Sequence, residues 1–285
     1  MRPEYEEHAS AAWKGMLHTI MLHGRTTTSR ELEHREVMHS TICFPMERPV
    51  VICPRRNLSY PFAAAEALWI LRGDDFLDGI KPWAKSMANY ADIDKHGNHR
   101  LWGAYGPRFV EQLPYAVNTL INDRASRQAV INLWRPEVAD FEGGTPKDVP
   151  CTVALVPYIR KGSLHLSVFM RSSDAWLGIP YDWFTFTILA AKIASEVNEQ
   201  YMKFGGSQPI MNLGLLSFSA GSSHLYTKNL EAAQAVLDGE STIAGCCDSF
   251  PTQWLEPEEW PVVIHALKTI RARDKRELFT WGATT

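Results

Sequence analysis

The residues of this chain best suited to chemistry lie in two places. One is Pro150-Cys151-Thr152. The other begins twenty residues after the cysteine and reads Arg171-Ser172-Ser173-Asp174-Ala175-Trp176-Leu177-Gly178-Ile179-Pro180-Tyr181-Asp182. A thiol attacks carbon as its thiolate, and a nearby cation raises the thiolate fraction. An Arg-Ser pair can also hold a phosphate through several donors at once. Asp182 closes a Gly-Ile-Pro-Tyr turn, where a carboxylate can read the polar edge of a ring. Nucleophile, cation and edge-reading acid together suggest covalent chemistry on a nucleotide.

The surrounding pattern has to bring those residues together. Residues 153–160 and 164–170 read as an antiparallel hairpin with Lys161-Gly162-Ser163 as its turn. That pairing puts Arg171 at the far end of the neighbouring strand, opposite Pro150-Cys151. Helical spacing predicts helices over 8–23, 60–71, 183–197 and 226–237, with Gly73-Asp74 ending the second. A further helix is expected over 114–121, with Pro114 in its first turn, where no backbone donor is needed. Short buried strands are expected over 50–52, 128–134, 213–220 and 261–267. Residues 24–36 look mobile, 84–100 loop-like, and 139–149 a Gly/Pro/Asp connection. Strands and helices interleave without regular βαβ alternation, which favours an α+β fold over a doubly wound sheet.

Totals narrow the function classes. A chain of 285 residues suits one large domain or two small ones, and 45% hydrophobic with 21% charged residues is ordinary for a globular protein. A formal charge of −3 gives no global attraction for nucleic acid or an anionic membrane. There is no run of about 18 apolar residues and no export-signal pattern. The five cysteines, Cys43, Cys53, Cys151, Cys246 and Cys247, are an odd number with no Cys-x-x-Cys spacing. They predict a reduced, cytoplasmic protein without a metal site.

The Pro-Cys dipeptide and the 171–182 run resemble the thymidylate synthase family. Its pattern is a Pro-Cys followed, at the same spacing, by Arg-Ser-x-Asp-x-x-Leu-Gly-x-Pro-Phe-Asn. The likeness extends over roughly residues 40 to 235 and implies a thymidylate-synthase-like α+β fold. That fold is a mixed twisted sheet with flanking helices, dimerising through the sheet. It also implies a single domain over 1–285, with 1–40 as a helical and loop extension. Cys151 becomes the nucleophile that adds to C6 of a pyrimidine nucleoside monophosphate. Glu66 orders water beside the ring, and Tyr105 belongs to the proton network near C5. Arg171 and Ser172 take the phosphate, together with Arg127 reaching across to the partner subunit. An N-terminal phosphate arginine is matched by Arg25 or Arg30, with Gly24-Arg25-Thr26 slightly closer. His224 and Tyr226 hold the sugar 3′-hydroxyl. Trp83, Asp174, Leu177, Gly178 and Tyr181 match the side that meets the co-substrate, 5,10-methylenetetrahydrofolate.

Gln128 stands where the family has a second phosphate arginine and Tyr181 where it has phenylalanine, and three further departures from the synthase pattern bear on the substrate. Thr152 stands where histidine is usual, and Met170 precedes Arg171 where glutamine is usual; both are similar to the cytidylate hydroxymethylase branch. Asp182 stands in place of asparagine. Uracil offers an acceptor at O4 and a donor at N3, which suit an amide; cytosine inverts both, and a carboxylate with one shared proton matches it. An ionised Asp182 facing uracil O4 is an unpaired acceptor–acceptor contact. These residues predict 5-hydroxymethylation of a cytidine monophosphate, with dCMP favoured and CMP open, by a homodimeric transferase. Reductive C5 methylation of dCMP or dUMP is the alternative, and a nucleotide-binding protein without catalysis is a third.

Overall fold

The computed structural model of the protein describes residues 4–135, 146–203 and 211–239. The expected strand over 261–267, most of the 139–149 connection, Cys246, Cys247 and the C-terminal tail lie outside the described residues. In chain order the elements are β1 (Glu4–Tyr5), α1 (Ala9–His23), β2 (Arg25–Ser29), β3 (Leu32–Pro45), α2 (Tyr60–Leu71), α3 (Leu77–Ile80), β4 (Asp92–Ile93) and β5 (His99–Arg100). They continue with α4 (Tyr105–Asn122), β6 (Ile131–Asn132), β7 (Thr152–Arg160), β8 (Ser163–Met170), β9 (Ser173–Asp174), α5 (Ile179–Lys203), β10 (Asn212–Tyr226) and α6 (Leu230–Asp238). A mixed sheet runs β1-β3-β10-β8-β7-β6, with β2 added on β3 and β9 on β10. The fold is therefore α+β, with helices flanking a mixed sheet.

Alternation along the central strands decides which face is core. Ile42, Phe44, Leu216, Phe218, Leu166 and Val168 point to one side and are buried. Helices α1 and α5 cover that side. Trp183 of α5 packs against Phe44 and Phe218, with ring centroids 4.8 and 5.7 Å away. Each such side chain contributes about 1.5–3 kcal/mol by leaving water. The opposite side carries Thr41, Ser167, Ser217, Ser219 and Phe169, half-buried or exposed. It is a surface of mostly small side chains.

Expectation and structure part at several places. Residues 84–100, expected to be loop-like, contain the antiparallel pair β4–β5. Residues 24–36 are not a mobile segment: Thr26-Thr27-Thr28 pairs with β3 as an antiparallel hairpin. Its turn is formed by Arg30 and Glu31, both at positive φ (49° and 64°), the two-residue geometry that matches strand twist. Residues 50–52 are buried but pair with no strand. Ser10 Oγ accepts from Ile52 N at 2.8 Å and Tyr60 donates its hydroxyl to Val51 O at 3.1 Å, so side chains satisfy the backbone. Helix α4 starts at Tyr105, and Pro114 is interior to it. The proline deprives the carbonyl of Val110 of its donor, and Val110 is 40% exposed, so water can replace it. The expected strand over 128–134 narrows to β6. The amphipathic helix expected from 226 begins at Leu230, because Tyr226 ends β10.

Close packing of α2 on α4 sets up the cleft. A side chain at Gly106 would place its Cβ 2.8 Å from Asp74 O and 3.0 Å from Ile70 O. Only glycine lets the start of α4 approach the end of α2 that closely. That approach carries Glu66 and Tyr105 toward the same space.

Candidate active site

Cys151 sits immediately before β7, beside an irregularity in the β7–β8 pairing between Thr152 and Ala154. Arg171 follows β8, and its backbone N donates to Cys151 O at 2.9 Å. Its guanidinium then folds back: Nε donates to Pro150 O at 2.9 Å, Nη2 to Val149 O at 3.1 Å, and Nη2 lies 3.7 Å from Cys151 Sγ. Nη1 has no acceptor among the described residues and is available to an anion. The hairpin thus delivers the juxtaposition read from the sequence.

Cys151 opens on a cleft shared with Glu66, Tyr105, Asp148, Asp182 and Thr185, and walled by Trp69, Ile70 and Met87. Its acids are strongly perturbed. Burial, with Asp174 nearby, pushes Asp182 up to about 7. Burial and the charge of Asp182 push Glu66 up to about 8, against a smaller pull from the Thr185 hydroxyl. Tyr105 is raised well above its ordinary value, first by burial and then by Asp182 and Cys151. The Cys151 thiol is also pushed up. Burial is the largest cause, Arg171 and Arg30 pull down, and Asp182 and Asp148 add to the rise. The expected lowering by Arg171 is present but outweighed, because desolvation of a thiolate costs more than one partly engaged cation returns.

Beyond Arg171 the chain turns through β9 onto β10. Ser172 Oγ lies 3.4 Å from His224 Nδ1. The His224 ring meets Tyr226 and His34 edge-on, with centroids 5.2 and 5.3 Å away. Serine, histidine and tyrosine therefore form one polar wall. The β2–β3 turn reaches the same region, since the charge of Arg30 is felt by both Cys151 and Tyr226. Arg25 is at the other end of that hairpin, paired across from Glu36. Of the two candidate arginines, Arg30 is the one brought toward the thiol. Arg127 is exposed on the loop after α4 and is not among the residues lining the cleft.

The remaining expected residues frame the site. Asp174 Oδ1 accepts from the backbone N of Trp176 and of Leu177, both at 2.8 Å, and so shapes the turn into α5. Gly178 O accepts from Asp182 N at 3.0 Å, fixing the acid in the first turn of α5. Tyr181 accepts from Ser59 N at 3.1 Å, joining that turn to α2. Leu177 is 48% exposed and Trp83 55% exposed; Trp83 is not among the residues lining the cleft. The apolar wall of Trp69, Ile70 and Met87 beside the nucleophile fits a flat conjugated co-substrate. No cluster of His, Cys, Asp and Glu among the described residues could hold a metal ion. Asp148, Arg108 and His34 were not anticipated. Asp148 stands two residues before Pro150, so an acid beside a nucleophile motif was the available signal.

A profile of the thymidylate synthase family, described as "Thymidylate synthase", matches residues 11–245. The chain belongs to the thymidylate synthase family. It is 27% identical over 222 residues to a thymidylate synthase of Bacillus atrophaeus, spanning 73% of this chain and 86% of that protein. It is 26% identical over 226 residues to thymidylate synthase 1 of Bacillus subtilis (strain 168) and to a thymidylate synthase of Bacillus phage phi3T, spanning 73% of this chain and 70% of each. Family membership makes the chain a one-carbon transferase, in a family that uses methylenetetrahydrofolate as co-substrate on a pyrimidine nucleotide. Among the described residues, no helix is long and apolar enough to cross a membrane.

Proposed function

We propose that this thymidylate synthase family member hydroxymethylates C5 of a cytidine monophosphate, with dCMP as the favoured substrate. The observation that carries the reading is Asp182, a carboxylate in the cleft beside Cys151 where the family pattern has asparagine. Its proton is held to about 7, the range in which it can be shared with cytosine N3 while the other oxygen accepts from N4. Cys151 adds to C6 as the ring accepts that proton. Bound methylenetetrahydrofolate supplies a carbon at the oxidation level of formaldehyde. Glu66, kept neutral near pH 7, orders water at the ring, and Tyr105 serves removal of the C5 proton. Arg171, Arg30 and Ser172 take the phosphate, with Arg25 in a lesser role. His224 and Tyr226 hold the sugar. Trp83, Asp174, Leu177, Gly178 and Tyr181 border the co-substrate.

The proposal includes a single-domain cytoplasmic protein acting as a homodimer. Its sheet face of Thr41, Ser167, Ser217 and Ser219 suits pairing with a second copy, and Arg127 then serves the partner's phosphate. A second reading, reductive methylation, is favoured by the named relatives, which are thymidylate synthases. Incubation with dCMP, CMP or dUMP and methylenetetrahydrofolate separates the two. The expected result is a nucleotide heavier by one hydroxymethyl group, with tetrahydrofolate formed and no rise in dihydrofolate absorbance. A methylated nucleotide with stoichiometric dihydrofolate refutes hydroxymethylation, and no product with any nucleotide leaves the chain a binding protein.

A further inference from the structure

We propose that Asp148 is the general base for the water that attacks the transferred carbon, an inference that rests on the hydroxymethylation reading. Asp148 lines the cleft with Cys151, Glu66 and Asp182. Gly103 N donates to its Oδ2 at 2.9 Å, while Oδ1 has no donor among the described residues. The carboxylate is clamped against that backbone: a Cβ on Gly103 would lie 2.8 Å from both oxygens. The cation acting on it, Arg108, is spent elsewhere, donating to Trp102 O at 2.7 Å and to Ala104 O. Asp148 belongs to none of the ion pairs among the described residues. It is therefore a positioned acceptor with capacity to spare.

Its placement also works against the first step, because its charge disfavours the Cys151 thiolate. Its chemical use falls later. Asp182 is committed to the base edge, and Glu66 is kept protonated near neutral pH, so neither is free to accept a proton from water. At the hydration step the water oxygen bonds to the exocyclic methylene carbon on C5, and Asp148 removes one water proton. The methylene π pair passes into the ring. That pair then re-forms C5=C6, the C6–Sγ bond breaks, and its electrons leave on sulfur. The proton on Asp148 passes to the thiolate. Water is the only co-reactant consumed, and nothing is oxidised or reduced.

The test is Asp148→Asn, whose amide oxygen can still accept from Gly103 N. It is given C5-deuterated dCMP and methylenetetrahydrofolate. Loss of deuterium reports the steps before water, and 5-hydroxymethyl-dCMP reports the step after. General-base loss should slow product by about a hundredfold or more. First-turnover deuterium loss persists, and a methylene-bearing nucleotide adduct accumulates on Cys151 in the intact-protein mass. Asp148→Ala should show the same block with partial rescue by formate, which a purely structural role would not give. Product within a few-fold of wild type, deuterium loss falling in parallel with product, or no formate rescue overturns the proposal. Wild-type protein that yields methylated nucleotide and dihydrofolate overturns the underlying reading instead, and shows it without any variant.

Discussion

Replacing Asp182 by asparagine should change which base is used. Asp182 titrates at about 7. At pH 6 roughly nine-tenths of it is protonated, and at pH 8 roughly nine-tenths is ionised. The protonated acid carries one donor and one acceptor, as an amide does, and tolerates uracil. The ionised acid opposes uracil O4 with a second acceptor, an unpaired contact costing about 1–3 kcal/mol. Cytosine N3 needs the same shared proton, so loss of the protonated acid penalises both bases, and the wild-type ratio of kcat/KM for dCMP over dUMP should change little from pH 6 to pH 8. Ionisation of Cys151 cancels in this ratio, because both bases need the same thiolate. Asp182→Asn should lower the ratio by about 10- to 100-fold at both pH values, because the amide presents uracil with a donor and an acceptor that do not titrate. The assay is competition between the two nucleotides at each pH, read by mass. A wild-type preference for dUMP at both pH values, or a variant ratio no lower than that of wild type, refutes this account of Asp182.

Cys151→Ser should abolish turnover and leave dCMP binding, followed by calorimetry, largely intact; near-normal turnover would remove the covalent mechanism. Arg30→Ala should raise the KM for nucleotide about tenfold or more, and Arg25→Ala should change it little; the reverse order in steady-state kinetics would restore Arg25 as the phosphate ligand. Mixed Cys151→Ser and Arg127→Ala subunits should depart from additive activity if sites are shared, and a monomer by sedimentation that stays active at high dilution contradicts the dimer. Glu66 is raised from its ordinary 4.5 to about 8 in the fold. Its stabilising share is thus full below pH 4.5 and lost as pH rises through 8. Taken whole, that displacement is worth about 4–5 kcal/mol; solvent entering the cleft and the share owed to Asp182 reduce it to about 2 kcal/mol. Urea unfolding should show wild type weakening from pH 5 to pH 8 and Glu66→Gln weakening less, the remainder coming from Asp182, which burial raises to about 7; a flat wild type contradicts the burial argument.

What the sequence revealed depended on how local the governing physics was. Helix α2 was legible to the residue because its apolar run and the Gly73 stop are adjacent signals. The β7–β8 hairpin was legible because its alternation and its turn are contiguous, and it brought Arg171 to Cys151. The β2–β3 hairpin was hidden. Its strands are polar, and its turn puts Arg30 and Glu31 at positive φ without the glycine or asparagine that usually marks such a turn. The start of α4 was hidden by Pro114, tolerated because solvent reaches the Val110 carbonyl. Arg30 and Arg25 could not be ranked from composition, since only the turn decides which end faces the thiol. Asp148 had only its place two residues before Pro150 as a signal, because its orientation comes from Gly103, forty-five positions away in sequence.

The charge arrangement around Cys151 bears on why a raised thiol can still serve as a nucleophile. Two arginines favour the thiolate, and burial together with two carboxylates opposes it. Near pH 7 the opposition is partly discharged, because about half of Asp182 is protonated. The same burial that penalises the thiol thus also mutes one of its anionic neighbours. When the thiolate adds to C6, negative charge moves from sulfur into the ring, and Asp182 holds a proton at the atom where that charge arrives in the proposed pose. A thiol with a low pKa would be a weaker nucleophile and a better leaving group, favouring reversal before the carbon is transferred. A thiol held high, beside an acid of about 7, shifts the balance toward an adduct that lasts until the ring re-forms C5=C6 and releases the enzyme.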